Sequence, residues 1–479
     1  MTHPLRTTAL LTVISLAMFG VLSSAAGASA SHTASSNGAS VETAASTGLG
    51  DWPAYERNVA HSSAAFGTAA ITTANAGSLH QVWHWTPPSG DLEASPTVAN
   101  GLVYIGTGGG TFYALNAGTG VLAWSRTLDV GRTGQCAGKG IEATATVAND
   151  PVTGGPTVYA EGARYLYALN ASTGAVVWKR LVGPSGTTAN ASYYNWSSPT
   201  VAQGHIYVGL SSRCDRPLIR GGEVEYSQHT GAVLHTYYDM PNHHVGGSIW
   251  SSAAYKNGSV WVTTGNPGPG GTFDSYSIVK LNASTMAKQG KWTVNLTAAS
   301  DDDFGSSPVL FTSSTGTPMA AACNKNGVMY AWNEDALANG PVWEDQVANP
   351  AGGACLTSPA WDFQNRVLYI AAPGTTIGGT SVQGSLRAVN PDTGAYLWQT
   401  ALPCKVDGSP TLDQPGGVVA VPMYSCPTGV TPVIELVNAS TGAILGSVPA
   451  PGGAFSQPVF AGNLLYVASF AGGLTAYGP

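Results

Sequence analysis

Tyr113-Ala-Leu-Asn-Ala-Gly-Thr-Gly-Val-Leu-Ala-Trp124 returns further along the chain as Tyr167-Ala-Leu-Asn-Ala-Ser-Thr-Gly-Ala-Val-Val-Trp178. Weaker copies run from Val389 to Trp398 and from Val437 to Leu445, and a degraded one from Leu281 to Trp292. The turn glycines Gly120, Gly174, Gly231, Gly340, Gly394 and Gly442 are separated by 54, 57, 109, 54 and 48 residues, and the long gap holds the degraded copy. A period of about fifty residues means one supersecondary unit copied around or along an axis.

Each unit carries alternating apolar stretches such as Leu102–Gly106 and His205–Gly209, rich in Val, Ile and Tyr, which read as strands. The Asn-x-x-Thr-Gly segment between two of them is a hairpin turn: Asn and Thr side chains bond nearby backbone, and Gly supplies positive φ. Several units open on Ser-Pro (Ser95, Ser198, Ser307, Ser358 and Ser409), which suits the start of a strand, where no ladder donor is needed. About four strands per unit make a propeller blade. The turns predict blades near residues 120, 174, 231, 286, 340, 394 and 442, and an eighth, incomplete copy spans Leu464 to Tyr477. Its missing outer strand is assigned to Gln81-Val-Trp-His-Trp85, which would close the ring and remove the exposed sheet edges. The predicted fold is therefore all-β: an eight-bladed β-propeller of four-stranded antiparallel blades, closed by an N-terminal strand.

The 479 residues include 61 glycines, which fits a fold made of many turns. A net charge of −7 with scattered lysines offers no basic stripe and argues against nucleic acid as a partner. His3 and Arg6 precede an apolar run, Ala9 to Leu22, and Ala28-Ser29-Ala30 has the form of a cleavage site. Residues 1–30 thus read as an export signal for a secreted protein, residues 31–50 as a flexible Ser/Thr/Ala-rich linker, and 51–479 as a single propeller domain. No integral membrane segment is expected after cleavage. Six cysteines in an oxidising compartment favour disulfides, with Cys323–Cys355, Cys404–Cys426 and Cys136–Cys214 as the pairing suggested by nearness in sequence.

The repeat resembles the tryptophan-docking blades of the pyrroloquinoline quinone (PQQ) propeller superfamily over roughly residues 51–479, and Asp51-Trp52-Pro53 is similar to that family's opening segment. The superfamily holds quinoprotein alcohol dehydrogenases, polyvinyl-alcohol dehydrogenases among them, as well as non-catalytic scaffolds. Positions that break the repeat separate the two branches. Trp250, then Gly265-Asn266-Pro267, then Asp301-Asp-Asp303-Phe-Gly305, then Lys325-Asn-Gly327 are similar to the dehydrogenase pattern. The resemblance implies that Trp250 stacks on the quinone, Asn266 gives an amide oxygen to calcium, Asp303 takes the alcohol proton, and Lys325 hydrogen-bonds the reactive carbonyl. Asp215, in Ser211-Ser-Arg-Cys-Asp215-Arg216, matches the family's acidic calcium ligand in the third blade, and Asp303 adjoins the same ion. Calcium takes such hard oxygen donors. The adjacent cysteine pair of well-studied family members is missing here. Arg132 and Lys139 are candidates for contacting a polyanion.

Trp124, Trp178, Trp292 and Trp398 occupy the repeat position and need no cofactor. His243-His244 reads as a loop pair, because neighbouring side chains on a strand point to opposite faces. Asn170, Asn282 and Asn438 stand in sequons that turn chemistry already explains. Two functions follow: a secreted PQQ- and calcium-dependent dehydrogenase of an alcohol, polymeric alcohols included, passing electrons to a separate acceptor; or a non-catalytic propeller binding a cell-surface protein or polysaccharide.

Overall fold

The computed structural model describes residues 50–479 apart from 68, 132–137, 185–191, 296–300 and 351–354. The assigned signal and most of the linker, Arg132, and Cys136 of the third cysteine pair lie outside the described residues. Among the described residues eight sheets form, each with four antiparallel blade strands, consecutive in sequence in the first seven. The first blade comprises Thr97–Ala99, Leu102–Gly106, Thr111–Asn116 and Leu122–Thr127. The eighth takes its outer strand from His80–Trp85, which pairs antiparallel with Gly473–Gly478 and closes the ring.

The Asn-x-x-Thr-Gly segment sits between the third and fourth strands of a blade. In the second blade, Asn170 Oδ1 accepts the backbone N–H groups of Ser172 and Thr173, both at 3.0 Å, and Gly174 has φ 67°. The outer-strand tryptophan of one blade reaches sideways to the next. Trp124 Nε1 donates to the carbonyl of Ala171 at 2.9 Å and Trp83 Nε1 to that of Ala117 at 2.8 Å. A Cβ on Gly174 would lie 2.4 Å from the Trp124 ring, so the turn glycine is needed for closeness as well as for φ.

The Ser-Pro openings do more than start strands. The serine precedes the strand, and its hydroxyl accepts the backbone N–H of the matching residue in the blade before. The chain of bonds runs Ser95 to Thr144, to Ser198, to Ser252, to Ser307, to Ser358, to Ser409, and Gln457 returns to Ser95, with lengths of 2.9–3.1 Å. These hydroxyls form a collar around the propeller axis.

Inside that collar lies the segment from Trp52 to Ala65. It bonds in turn to the innermost strands: Trp52 with Val98, Pro53 O with Val147 N, Val59 O with Tyr255 N, Ala60 O with Leu310 N, Ser62 O with Trp361 N, and Ser63 O with Leu412 N. Ala64–Ala65 then adds to the seventh sheet in parallel with Leu412–Asp413. Tight winding forces Glu56, Arg57, His61 and Ser63 to positive φ, between 49° and 75°. The alternation of apolar residues along the blade strands fills the seams between neighbouring sheets, each with its own buried cluster.

Two disulfides are described, Cys323–Cys355 and Cys404–Cys426. Cys323 ends the second strand of a blade and Cys426 lies in the loop after one; each is tied to a loop joining neighbouring blades. They fit an oxidising compartment. No helix among the described residues is long and apolar enough to cross a membrane.

Candidate functional site at the propeller axis

In a four-stranded antiparallel blade, the loops after strands two and four emerge on one face and those after strands one and three on the other. The Thr-Gly turns occupy the second face. Asp215, Trp250, Asn266, Asp301–Asp303 and Lys325 all lie in loops of the first face.

Trp250, Asp303 and Lys325 meet. Trp250 Nε1 donates to Asp303 Oδ2 at 2.8 Å, and Lys325 Nζ lies 2.6 Å from Asp303 Oδ1. The same ammonium stands 5.1 Å from the centre of the Trp250 ring, within cation–π range, and bonds Asp301 Oδ1 at 2.8 Å. Backbone bonds hold the acidic loop to the Lys325 turn: Lys325 N donates to Asp303 O at 3.0 Å and Asn324 Nδ2 to Asp302 O at 2.8 Å. Asp303 is only 2% exposed, and burial pushes its carboxyl up to about 6 against the pull of Lys325 and Trp250. Burial works against the Lys325 charge too, but Asp303 and Asp301 outweigh it and hold the ammonium above its ordinary value. The two shifts agree once burial is counted, since Asp303 is the more deeply enclosed partner.

Asn266 joins through Asp301, not Asp303. Its Nδ2 donates to Asp301 Oδ1 at 2.7 Å and to Asp215 Oδ2 at 3.0 Å, and Ser248 Oγ donates to Asp215 Oδ1 at 3.0 Å. Asn266 Oδ1 is buried and has no hydrogen-bond partner. Asp215 thus stands beside Asn266. However, among the described residues no three Asp, Glu, His or Cys side chains converge as a metal group. The donors are hard oxygens and one of them is orphaned, which fits calcium chemistry; Asp303 bonds Trp250 and pairs with Lys325. His243 is an exposed turn residue with φ 70°, and His244 packs edge-on against Phe273 at 5.0 Å.

Beside this group a cavity opens on the axis. It encloses about 650 Å³ of non-atom space counting its mouth, about 80 Å³ of it open to the centre of a water molecule. Tyr55 and the collar residues except Ser358 line it, and each blade adds one wall residue: Glu93, Glu142, Trp196, Trp250, Gly305, Leu356, Asp407 and Phe455. Every one of these stands two positions before its collar residue, as in Glu93-Ala-Ser95 and Trp250-Ser-Ser252. In extended chain, residues two apart point the same way, so the collar repeat aims one wall residue per blade at the axis. Sequence reasoning found Trp250 and, within the acidic motif, Gly305, and missed the other six, although this spacing from the Ser-Pro openings is a readable signal. A second hollow beside Asp51 and Phe66, about 10 Å³, is too small to matter beyond a single water.

Several wall carboxylates carry their own cations. Glu142 Oε1 meets Arg213 Nη1 at 2.6 Å, and Asp407 meets Lys405 at 3.0 Å. Lys139 faces Glu93 and Glu142 from the same side. Under the floor, Glu56 is fully buried. Its Oε1 accepts the hydroxyl of Ser409 at 3.2 Å, and burial pushes its carboxyl up to about 8.

Sequence comparisons agree with this architecture. Residues 52–344 match the family described as PQQ, the glucose/ethanol/alcohol dehydrogenase β-propeller domain, and residues 382–478 match that of the outer membrane protein assembly factor BamB. The dehydrogenase subunit of a quinone-type alcohol dehydrogenase from Gluconobacter oxydans is 26% identical over 73% of this chain, and a polyvinylalcohol dehydrogenase from a Pseudomonas species is 25% identical over 70%. The aligned part is 37% and 56% of the length of those two relatives. Among solved structures, a europium-containing methanol dehydrogenase superposes with a TM-score of 0.75 at 15% identity, covering 90% of this chain and 98% of that one. BamB from Moraxella catarrhalis gives 0.55 at 16% identity, covering 84% of this chain and 100% of that one. At these identities the structural likeness speaks for the fold. With its eight blades, axial cavity and a family match over 52–344, the chain belongs to the PQQ β-propeller family of glucose, ethanol and alcohol dehydrogenases.

Proposed function

We propose that this chain is a secreted quinoprotein-type dehydrogenase that oxidises an alcohol, small or polymeric, with PQQ in the axial cavity and calcium at Asp215 and Asn266. The observation that carries the reading is the Trp250–Asp303–Lys325 triad, three residues from three separate loops that break the repeat, of which Trp250 lines the cavity. The fold alone needs none of these contacts.

PQQ, when bound, supplies the two-electron acceptor, and calcium supplies Lewis-acid polarisation. The rest falls to the chain. Trp250 offers an aromatic face to a flat ligand. Asp303 receives the alcohol proton: each of its oxygens keeps a second lone pair beyond the bond to Trp250 or Lys325. Burial makes it a better base than an exposed aspartate. Lys325 holds the carboxylate in place and brings a positive charge to the site where negative charge develops. The orphaned Asn266 Oδ1, together with Asp215, is the donor pair offered to a hard cation. Electrons leave to a separate acceptor.

The BamB match over 382–478 favours a second reading, a non-catalytic propeller that binds a protein or polysaccharide at the cell surface. Reconstitution decides between them. Purified protein is mixed with PQQ and Ca²⁺, and dye reduction is followed across small alcohols and polyvinyl alcohol. Alcohol-dependent reduction is the expected result. Absence of both cofactor absorbance changes and dye reduction would leave the scaffold reading standing.

A further inference from the structure

We infer that the axial cavity takes up one proton together with an anionic aromatic ligand, and that Glu93 is the group that holds it. The inference rests on the proposed ligand class, a flat polycarboxylate.

Three of the eight wall positions are carboxylates, Glu93, Glu142 and Asp407. Two are compensated: Glu142 by Arg213 at 2.6 Å and Asp407 by Lys405 at 3.0 Å. Glu93 has no ion pair or hydrogen bond among the described residues. The charged groups that face it are Glu142 and Asp91, which repel its negative form, and Arg213 and Lys139, which favour it. Burial comes first among these influences, and the balance leaves its carboxyl pushed up to about 7.

A ligand bearing carboxylates adds negative charge to a wall whose one acid without an ion pair is already pushed toward its protonated form by burial. Ionised Glu93 would repel such a ligand at short range, in a site partly withdrawn from water. Protonated, it removes the repulsion and turns an acceptor into an O–H donor for a ligand carboxylate, a short charge-assisted bond. Protonation costs little near neutrality, so the proton-bound form wins. By linkage, one proton taken up per ligand makes affinity fall tenfold per pH unit above the point where free Glu93 ionises. Below that point Glu93 already carries its proton and uptake vanishes.

The test is calorimetric titration of the apoprotein with PQQ in buffers of different ionisation enthalpy, from pH 6 to 9. Close to one proton taken up per PQQ at pH 8, little at pH 6, and a Kd rising about tenfold per unit above pH 7 are expected. Glu93→Gln should abolish the uptake, flatten Kd with pH, and bind at pH 8 as tightly as wild type does at pH 6. Asp91→Asn keeps Glu93 but removes a repelling charge, so the onset of uptake should move to lower pH; this variant serves if Glu93→Gln does not fold. Binding without uptake at pH 8, or uptake that persists in Glu93→Gln, overturns the inference and leaves the dehydrogenase reading intact. No binding of PQQ at any pH overturns both.

Discussion

The indole N–H of Trp250 donates to Oδ2 of Asp303 at 2.8 Å, although 53 residues separate them in sequence. The same tryptophan lines the axial cavity. A ligand seated there meets the residue whose indole N–H fixes the direction of that carboxylate.

Asp303→Asn keeps the shape and the Trp250 contact but cannot accept a proton. In the reconstituted protein, alcohol-dependent dye reduction should fall by about two to four orders of magnitude, the usual worth of a positioned general base. PQQ binding, followed by absorbance, should persist. Unchanged turnover would remove Asp303 from that role.

Lys325→Met leaves Asp303 buried without its cation, 2.6 Å away in the native protein. Breaking a buried pair on one side typically costs about 3–5 kcal/mol. Lys325 keeps 13% of its side chain exposed, so the lower end is expected here. The double variant with Asp303→Asn should recover most of the loss. Urea unfolding of the ligand-free single and double variants measures this coupling, which a surface pair would not show.

Glu56 and His61 make the axial segment sensitive to pH in opposite senses. Glu56 ionises at 4.5 when free and is pushed up to about 8 by burial; His61 moves from 6.5 down to about 4 for the same reason. Between the two Glu56 values the folded chain holds a proton that the unfolded chain lacks, so stability falls as pH rises, by about 1.4 kcal/mol per unit. For His61 the unfolded chain holds the extra proton, and stability rises with pH up to 6.5. The two slopes cancel below 6.5, and Glu56 alone acts above it. Relative to Glu56→Gln, the native protein should lose about 2 kcal/mol between pH 6.5 and 8 in denaturant titrations. Parallel curves for the two proteins would show that Glu56 is not held protonated.

Trp83 tests the ring closure. It is 7% exposed and bonds the carbonyl of Ala117 in the first blade, bridging the join between the last and first blades. Trp83→Ala should cost about 3–5 kcal/mol, as large-to-small changes of buried tryptophan do. Gly120→Ala should also destabilise, because its Cβ would come within 2.6 Å of the Trp83 ring and φ there is 70°. If Trp83→Ala unfolds at native denaturant concentrations, the closing strand contributes little.

The blade number and the closing strand were legible because they depend on short-range rules. Alternation of two marks strands, and an Asn-x-x-Thr-Gly segment can satisfy its own backbone only as a turn. The Trp250, Asp303 and Lys325 group was legible in another way, as departures from the repeat that resemble a known pattern. What escaped was the axis. The Ser-Pro openings were read as strand starts, and their hydroxyls turned out to bond the adjacent blade. Glu93, Glu142 and Asp407 passed unnoticed two positions ahead of that collar, because an acid in a loop looks solvated until the ring closes around it. The resemblance grouped Asn266 with Asp215 and Asp303; its bond to Asp301 was not foreseen.

The sequence by itself determined the strands, the turns, the eight-fold repetition and the strand that joins the two ends, since each is encoded within a dozen or so neighbouring residues. Only the tertiary structure decided which face carries the chemistry and which acids lose their water. Those depend on curvature. A ring of eight blades brings loops hundreds of residues apart onto one axis, and their charges are set by what that convergence excludes.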